Sequence, residues 1–448
     1  MKIFVSLVRA GAATFSVALS SAALSSSIWA ADLLSAYRDA LAYDAQYAAA
    51  RAALDAGREK IPQGRAGILP TIGLSANSTW NDAETTRRGA GTTPNAYNSN
   101  GWTVSLSQPV FRRQNWIAYT QAELAAAQAE TQFNLARQDL VLRVFQAYTD
   151  VLLAQEALAT AQAQKVAIAE QLESAKRNFE VGTSTITDTH EAQSRYDLVT
   201  AQEIAAQNDL TTKQFALRNL IGKDADRLKA LKSGAQFGRP QPDDIAAWAG
   251  MAESTNLSVQ SLQIAAEIAA QESERQRAGH YPTVDLVASH ARNGQSYSST
   301  FGSGIDSKST AFGVQVNLPL FAGGATSSRS RETAALREKA GLDLENGRRS
   351  AALGARQAYL GLTSGLAQIK AYEAAQVSSQ SALDANKLGY DVGVRINIDV
   401  LNAQSQLYDT RYKLTKARLD TLGALLKLKA AAGSLSENDL EALNTMLE

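Results

Sequence analysis

Asn178–Gln193 reads NFEVGTSTITDTHEAQ, and Gly389–Gln404 reads GYDVGVRINIDVLNAQ. The two align without a gap about 211 residues apart, with Gly182 over Gly393, Asp188 over Asp399 and Gln193 over Gln404. Before the first stretch, Phe111 to Val181 holds neither glycine nor proline, and after it Thr183 to Ile221 is equally free of both. A breaker-free run of about 70 residues predicts a helix on the order of 100 Å long at 1.5 Å per residue. Gly182 and Gly393 then lie between successive helices, where a chain reversal needs a permissive backbone. The second copy places its counterpart helices at about Ala325–Leu388 and Ile396–Leu422. Leu135, Leu142, Phe145 and Leu152 are spaced for helix–helix packing, and the many alanines around them permit close approach. Each copy therefore ends in a long antiparallel helical hairpin.

Two more anchors recur in the same order at nearly the same offset. AGILPTIGLSA around Pro70 matches AGHYPTVDLVA around Pro282, and VSLSQPVF around Pro109 matches VQVNLPLF around Pro319. Three matches at one spacing identify a duplicated unit. The anchors also carry strand periodicity. Ile72, Leu74, Ala76 and Trp80 alternate with Gly73, Ser75, Asn77 and Thr79; Trp102, Val104 and Leu106 alternate with Thr103, Ser105 and Ser107. The second copy repeats this with Val284, Leu286 and Ala288, then Phe312, Val314, Val316 and Leu318. Strict alternation gives one wet and one apolar face. Runs of about 10 residues suit tilted strands crossing an outer-membrane apolar band about 25 Å tall. Trp80, Trp102, Tyr281 and Phe312 flank the strands as an interfacial belt requires. Polar, glycine-rich stretches at roughly 81–100 and 293–308 are expected to be loops. A soluble sandwich edge is the competing reading of the alternation.

Composition narrows the function. The 448 residues carry 44 basic and 44 acidic side chains, so there is no basic footprint for nucleic acid. Without cysteine, disulfides, thiolate metal sites, cysteine nucleophiles and a lipid-bearing cysteine are all excluded. The histidines are three, His190, His280 and His290, and no nucleophile–histidine–acid set or metal-ligand spacing stands out. Gly323-Gly324 is not followed by the Gly-Lys-Ser/Thr of a phosphate loop and reads as a strand-to-helix turn. No enzyme activity, cofactor or metal is expected. Lys2, Arg9, the small and apolar stretch Ala10–Leu24 and Ile28-Trp29-Ala30 read as a secretory signal peptide at 1–30, with a membrane anchor as the alternative. Later in the chain no run of roughly 18 apolar residues appears, so any membrane contact must be made by strands.

Four strands have two open edges, which a bilayer cannot satisfy with hydrogen bonds. The sheet has to close with other copies, as about twelve strands from three chains or eight from two. An eight-stranded barrel is filled by its own side chains, so the ring of three is the better conduit.

The duplicated hairpin-plus-helix plan, the paired reversals and the closing GSLSENDLEALN at 433–444 resemble the TolC family of outer-membrane efflux and secretion channels. The resemblance covers essentially the whole mature chain. It implies an α+β membrane protein in the outer membrane of a Gram-negative bacterium: a homotrimeric twelve-stranded β-barrel continued by a periplasmic α-barrel. It also implies a belt near 222–250 and 424–448, and partners in a periplasmic adaptor and an inner-membrane transporter. The first structural repeat spans 31–230, with strands near 70–80 and 101–110 and helices over 113–221. The second spans 231–448, with strands near 282–291 and 310–320, helices over 325–422 and a C-terminal equatorial segment. The function implied is a passive exit duct for tripartite efflux or type I secretion.

Residue by residue, the resemblance makes Asp399 an acidic pore constriction that favours cations. The family's next aspartate, one turn on, is Asn402 here, which weakens that preference. Tyr390 and Arg395 match residues that hold the entrance shut, with Thr187 and Asp188 of the first reversal as expected partners. The competing reading is helix capping: Asp188 and Asp399 complement a helix dipole, and Thr187 and Asn397 serve as N-caps. A periplasmic coiled-coil adaptor or structural protein is the alternative function.

Overall fold

The computed structural model describes residues 32–89, 91–224, 227–232, 237–298 and 302–448; the signal peptide expected at 1–30 lies outside the described residues. Three short helices come first: α1 (Leu33–Tyr43), α2 (Ala45–Arg58) and α3 (Lys60–Ala66). Strands β1 (Thr71–Arg87) and β2 (Gly91–Phe111) lead into α4 (Arg113–Glu180) and α5 (Ile186–Ile221). Helices α6 (Ile245–Thr255) and α7 (Leu257–Arg277) precede β3 (Thr283–Gln295) and β4 (Ile305–Asn317). Helices α8 (Ala325–Asp391), α9 (Asn397–Ala431) and α10 (Glu437–Asn444) complete the chain.

The four strands form one antiparallel sheet in the order β1-β2-β3-β4. Pairing brings the apolar residues of all four onto one face: Leu74 lies opposite Val104, Leu106 opposite Ala288, and Ala288 opposite Phe312. That face has no cover in one protomer. Ile72 and Leu74 are each 72% exposed, Trp80 80% and Phe312 83%.

The first hairpin is longer than its alternation. Residues 81–100, expected as a loop, continue the ladder until Arg87 faces Gly91. Polar side chains hold this extension together. Asn98 Nδ2 donates to Ser78 Oγ at 3.1 Å, Asn81 Nδ2 to Ser99 Oγ at 2.9 Å, and the hydroxyls of Thr86 and Thr92 meet at 2.7 Å. Likewise 293–295 and 305–308 are strand. Apolar alternation marks only the part of a strand that meets an apolar medium, so it ends before the hairpin does.

Helix α4 has 68 residues and α8 has 67, each on the order of 100 Å, whereas α5 has 36 and α9 has 35. The return helices, about as long as the expected runs 183–221 and 396–422, therefore pair with only half of each long helix. The strand-proximal half of α4 is flanked by α2 and α3, where a side chain at Gly57 would meet Ala129 and one at Gly64 would meet Ala122. Helix α7 fills the corresponding place between α4 and α8: Gln121 on α4 donates to Glu272 at 3.0 Å and to the Ile268 carbonyl at 3.3 Å. Two long rods thus carry short helices stacked end to end, α2–α3 ahead of α5 and α7 ahead of α9. The long rod α8 contains six glycines that sequence rules disfavour inside helices, yet it is continuous. One reason is visible at Gly365, where a β-carbon would collide with Thr421 of α9.

The largest apolar core lies where the short helices meet. Leu33, Tyr37 and Ala40 of α1 pack with Leu140, Val144, Tyr148 and Val151 of α4, Leu217 and Ile221 of α5, Leu426 of α9 and Leu440 of α10. Around it runs a belt. Leu231 forms a bridge with Leu447, the Ala230 and Glu448 backbones bond reciprocally at 3.1 and 2.9 Å, and Tyr148 donates to the Lys229 carbonyl at 2.9 Å. Helix α1 belongs to this belt: Tyr37 donates to Glu437 at 3.0 Å and Asn444 to Asp32 at 3.0 Å. At the joint with the sheet, Arg112 holds the buried Asp285 through Nε at 2.7 Å and Nη2 at 2.5 Å. No helix among the described residues is long and apolar enough to cross a membrane.

Asp44 caps α2 by accepting from Tyr47 N at 2.6 Å and also receives both terminal nitrogens of Arg143 at 2.9 and 3.2 Å. Those Arg143 bonds hold its carboxyl below the usual aspartate range. Asp44→Ala is expected to cost about 3 kcal/mol, because it leaves Arg143 short of its buried partner. Asp39→Ala removes the partner of the exposed Lys223 and is expected to stay within about 0.5 kcal/mol. Denaturant unfolding in detergent measures both.

Burial alone raises the Glu272 carboxyl, but hydrogen bonds from Arg275, Gln276 and Gln121 outweigh it and pull it down to about 2. A depressed carboxylate stabilises the fold fully above its ordinary value of 4.5 and loses that contribution as pH falls to about 2. Glu272→Gln is expected to flatten the dependence of thermal stability on pH in that window, read by melting curves between those limits.

Candidate functional site

The sequence-derived site residues gather at the two helix reversals farthest from the sheet. The reversals share one backbone. Gly182 and Gly393 take φ of +77° and +79°, in the left-handed region where a β-carbon is disfavoured. The amides beyond them return to the preceding helix: Thr183 N donates to Asn178 O at 2.8 Å and Val394 N to Gly389 O at 2.9 Å.

The following helices start differently. Thr185, two residues before Thr187, caps α5. Its hydroxyl accepts from Asp188 N at 3.3 Å, while Asp188 Oδ2 accepts from Thr185 N at 3.0 Å and from Thr185 Oγ1 at 2.9 Å. This reciprocal box occupies the Asp188 carboxylate with capping. Thr187 is not the cap but an exposed residue of the first turn. The equivalent cap of α9 is Ile396, which has no oxygen to offer, and no side chain caps this helix. Asp399 stands at the same position as Asp188 but is free of capping, and it faces Arg395 with 3.6 Å between Oδ2 and Nη1. Capping-box bonding therefore accounts for Asp188 and not for Asp399, which still lies in the first turn of α9, where a carboxylate complements the helix dipole.

Asn397 is not a cap either. It is the first residue of α9, 1% exposed, and accepts from Gln171 Nε2 at 2.6 Å, while its own Nδ2 has no partner among the described residues. Tyr390 packs beside Leu383, Val400 and Leu407, and its hydroxyl accepts from Asn178 Nδ2 at 3.0 Å. Asn402 Oδ1 accepts from Arg195 Nη2 at 2.9 Å. Within the chain, then, Tyr390 bonds Asn178 and Arg395 of the reversal pairs with Asp399 of α9; the bonds of the described residues join neither to Thr187 or Asp188.

Sequence reasoning passed over the seam these contacts belong to. Gln164, Gln171 and Asn178 recur every seven residues along α4, so they share one side of the helix. They donate in turn to Ser405 at 3.3 Å, Asn397 at 2.6 Å and Tyr390 at 3.0 Å. The first helical hairpin meets the second through these hydrogen bonds and through Leu401 of α9, which joins the apolar cluster of Ile168, Leu172, Ala175, Ala192 and Val199, whereas Leu383, Val400 and Leu407 close the second hairpin internally. Beside the seam, α4, α5 and α9 frame an open cleft of about 530 Å³ lined by Gln164, Arg195, Gln202, Ser405, Tyr408 and Tyr412. The heptad spacing of amide side chains was the signal that could have revealed the seam.

A sheet with an exposed apolar face, long paired rods and polar helix reversals define an outer-membrane channel subunit. Residues 36–223 and 248–434 match the family model described as outer membrane efflux protein, and each segment holds one strand hairpin and one reversal. The chain is 33% identical over 426 residues to the outer membrane protein TolC of Vibrio cholerae serotype O1, covering 95% of this chain and 96% of that one. It is 35% identical over 418 residues to the alkaline protease secretion protein AprF of Pseudomonas aeruginosa, covering 92% and 86% of the two. Its fold superposes on the outer membrane protein VceC of Vibrio cholerae with a TM-score of 0.76 at 21% identity, over 90% of this chain and 96% of that one. The chain belongs to the outer membrane efflux protein family. Membership places it with outer-membrane channels, not with enzymes or periplasmic adaptors.

The two caps give a contrast to measure. Thr185→Ala is expected to loosen the first reversal by about 1 kcal/mol, or about fivefold faster amide exchange in residues 183–190. Asp399→Asn removes no cap and is expected to leave exchange in residues 394–401 within about twofold of the parent protein.

Proposed function

We propose that three copies of this chain form an outer-membrane channel-tunnel that serves as the exit duct of an efflux pump or type I secretion system. The observation that carries the reading is the sheet. Its apolar face is bare, its inner face is lined by small and polar residues such as Gly73, Ser105, Ser289 and Gly313, and strands β1 and β4 have unpaired edges. Pairing β1 of one copy with β4 of the next yields a closed barrel of twelve strands, with lipid outside and water inside. The same three-fold ring sets the long rods side by side as a periplasmic α-barrel. The units 31–230 and 231–448 are the two repeats of each wall segment, and residues 1–30 are a leader for export.

At the far end of the tube, three Asp399 carboxylates around one axis form the constriction. Freedom from capping supports this role, because the carboxylate is available to the pore. Asn402 contributes amides in place of a second acidic ring and is already engaged by Arg195, which keeps the cation preference modest. Tyr390 and Arg395 act as the gate, reaching Thr187 and Asp188 of a neighbouring hairpin in the closed ring. The duct has no energy source of its own; a periplasmic adaptor and an inner-membrane transporter supply cargo and drive.

The native chain lacks cysteine, so strand pairing can be tested directly. Cysteines introduced one each on β1 and β4 are expected to yield disulfide-linked trimers on heat-treated gels, and linked dimers alone would overturn the three-fold ring. In planar bilayers the parent protein is expected to form cation-preferring pores. Asp399→Ala should lower that preference and Arg395→Ser should raise conductance. An unchanged reversal potential in Asp399→Ala removes the acidic ring from the reading.

A further inference from the structure

The bare face of the sheet changes character along β3 and β4. From the helical end outward, opposed pairs run Val284 with Val316, Leu286 with Val314, Ala288 with Phe312, His290 with Thr310, and then Arg292 with Lys308. Like charges directly opposite on neighbouring strands destabilise a sheet unless something neutralises them. The nearest protein carboxylate falls short of doing so. Asp306 approaches Arg292 only to 4.0 Å, with both side chains more than half exposed. Lys308 makes no ion pair or side-chain hydrogen bond among the described residues, so the row keeps a net positive charge.

The height of this row identifies what meets it. Eight residues separate Val284 from Arg292 along β3, about 27 Å of strand and about 20 Å along the membrane normal for a strand tilted near 40°. That distance takes the basic pair to the outer rim of an apolar band about 25 Å tall. Trp102 lies directly opposite Arg292 on β2, and its ring sits 5.5 Å from that of His290, which is bonded to Thr310 at 2.7 Å. An amphipathic aromatic, a neutral polar step and then two cations form the profile of a membrane–water interface. Below them the exposed Phe312, Val314 and Val316 offer a track for acyl chains.

We propose that Arg292 and Lys308 form a binding site for the phosphate of a phosphorylated lipid headgroup in the outer leaflet, whose acyl chains lie along Phe312, Val314 and Val316. The guanidinium can grip two phosphate oxygens at once, and the ammonium supplies the second charge. The anion relieves the repulsion between the two strands, so binding strengthens the β3–β4 edge. The site rests on the barrel reading above, because only there does this face meet lipid.

The test titrates diphosphorylated lipid A into the full chain held in phosphatidylcholine nanodiscs, with bound lipid counted by native mass spectrometry. At about 1 kcal/mol for each basic residue at the surface, R292Q/K308Q is expected to bind about thirtyfold more weakly. The charge-preserving R292K/K308R is expected to stay within a few fold of the parent, and monophosphorylated lipid A to bind the parent less tightly than the diphosphorylated form. Equal binding by parent and R292Q/K308Q overturns the site. So does displacement of the lipid by equimolar inorganic phosphate, which would make the row a free-anion site. Failure of the parent chain to enter nanodiscs is a different result: it overturns the barrel reading itself.

Discussion

A four-stranded sheet with no hydrophobic core of its own is the constraint from which the rest of the molecule follows. Ordinary sheets bury one face; here Ile72, Leu74, Phe312 and Val314 face outward and the opposite face carries serine, glycine and asparagine. Such a sheet is unstable in water and incomplete in lipid, since its two edges remain open. Neither problem can be solved inside one chain. The stabilising apolar burial of the protomer instead sits well away from the sheet, in the core around Tyr37, Val144, Tyr148 and Leu426. The ion pair of Arg112 with the buried Asp285 ties the two regions together at the joint.

Much of this was legible because the governing patterns are long. Duplication is visible in three anchors, and a run from Phe111 to Val181 without a breaker has few alternatives to a helix. Partnership was less legible than identity. The segment 33–66 has helical composition, but nothing local says that it flanks the upper half of α4 while α5 takes only the lower half. The extension of the first hairpin through 81–87 and 91–100 was hidden for another reason: its cross-strand bonds join Asn, Ser and Thr, which read as loop residues when burial is the only guide. The helix expected at about Ala325–Leu388 forms in spite of its glycines, and what could not be read is the close approach of Gly365 to Thr421, which is a property of the pair.

At the helix reversals the chemistry was local and still only half read. Thr185 followed three residues later by Asp188 is a capping box written in the sequence, and Ile396 before Asp399 is its absence. That single exchange separates two aspartates with the same position, the same helix turn and different duties. Asp188 satisfies backbone amides, and Asp399 is left with Arg395 and solvent. The amide seam of Gln164, Gln171 and Asn178 lies beside these reversals: exchangeable hydrogen bonds join one hairpin to the other, with Leu401 of α9 packed into the apolar cluster of the first.

The end-to-end stacking of short helices beside α4 and α8 has a mechanical consequence. Bending stiffness in a helical wall comes from rods that cross the bending plane. Among the described residues at the level of the belt only α4 and α8 run straight through, because α2 begins and α5 ends there, as α7 begins and α9 ends. The wall is therefore most compliant at its waist, and the collar of α1, α10 and the Leu231–Leu447 bridge lies where that compliance would otherwise let it buckle.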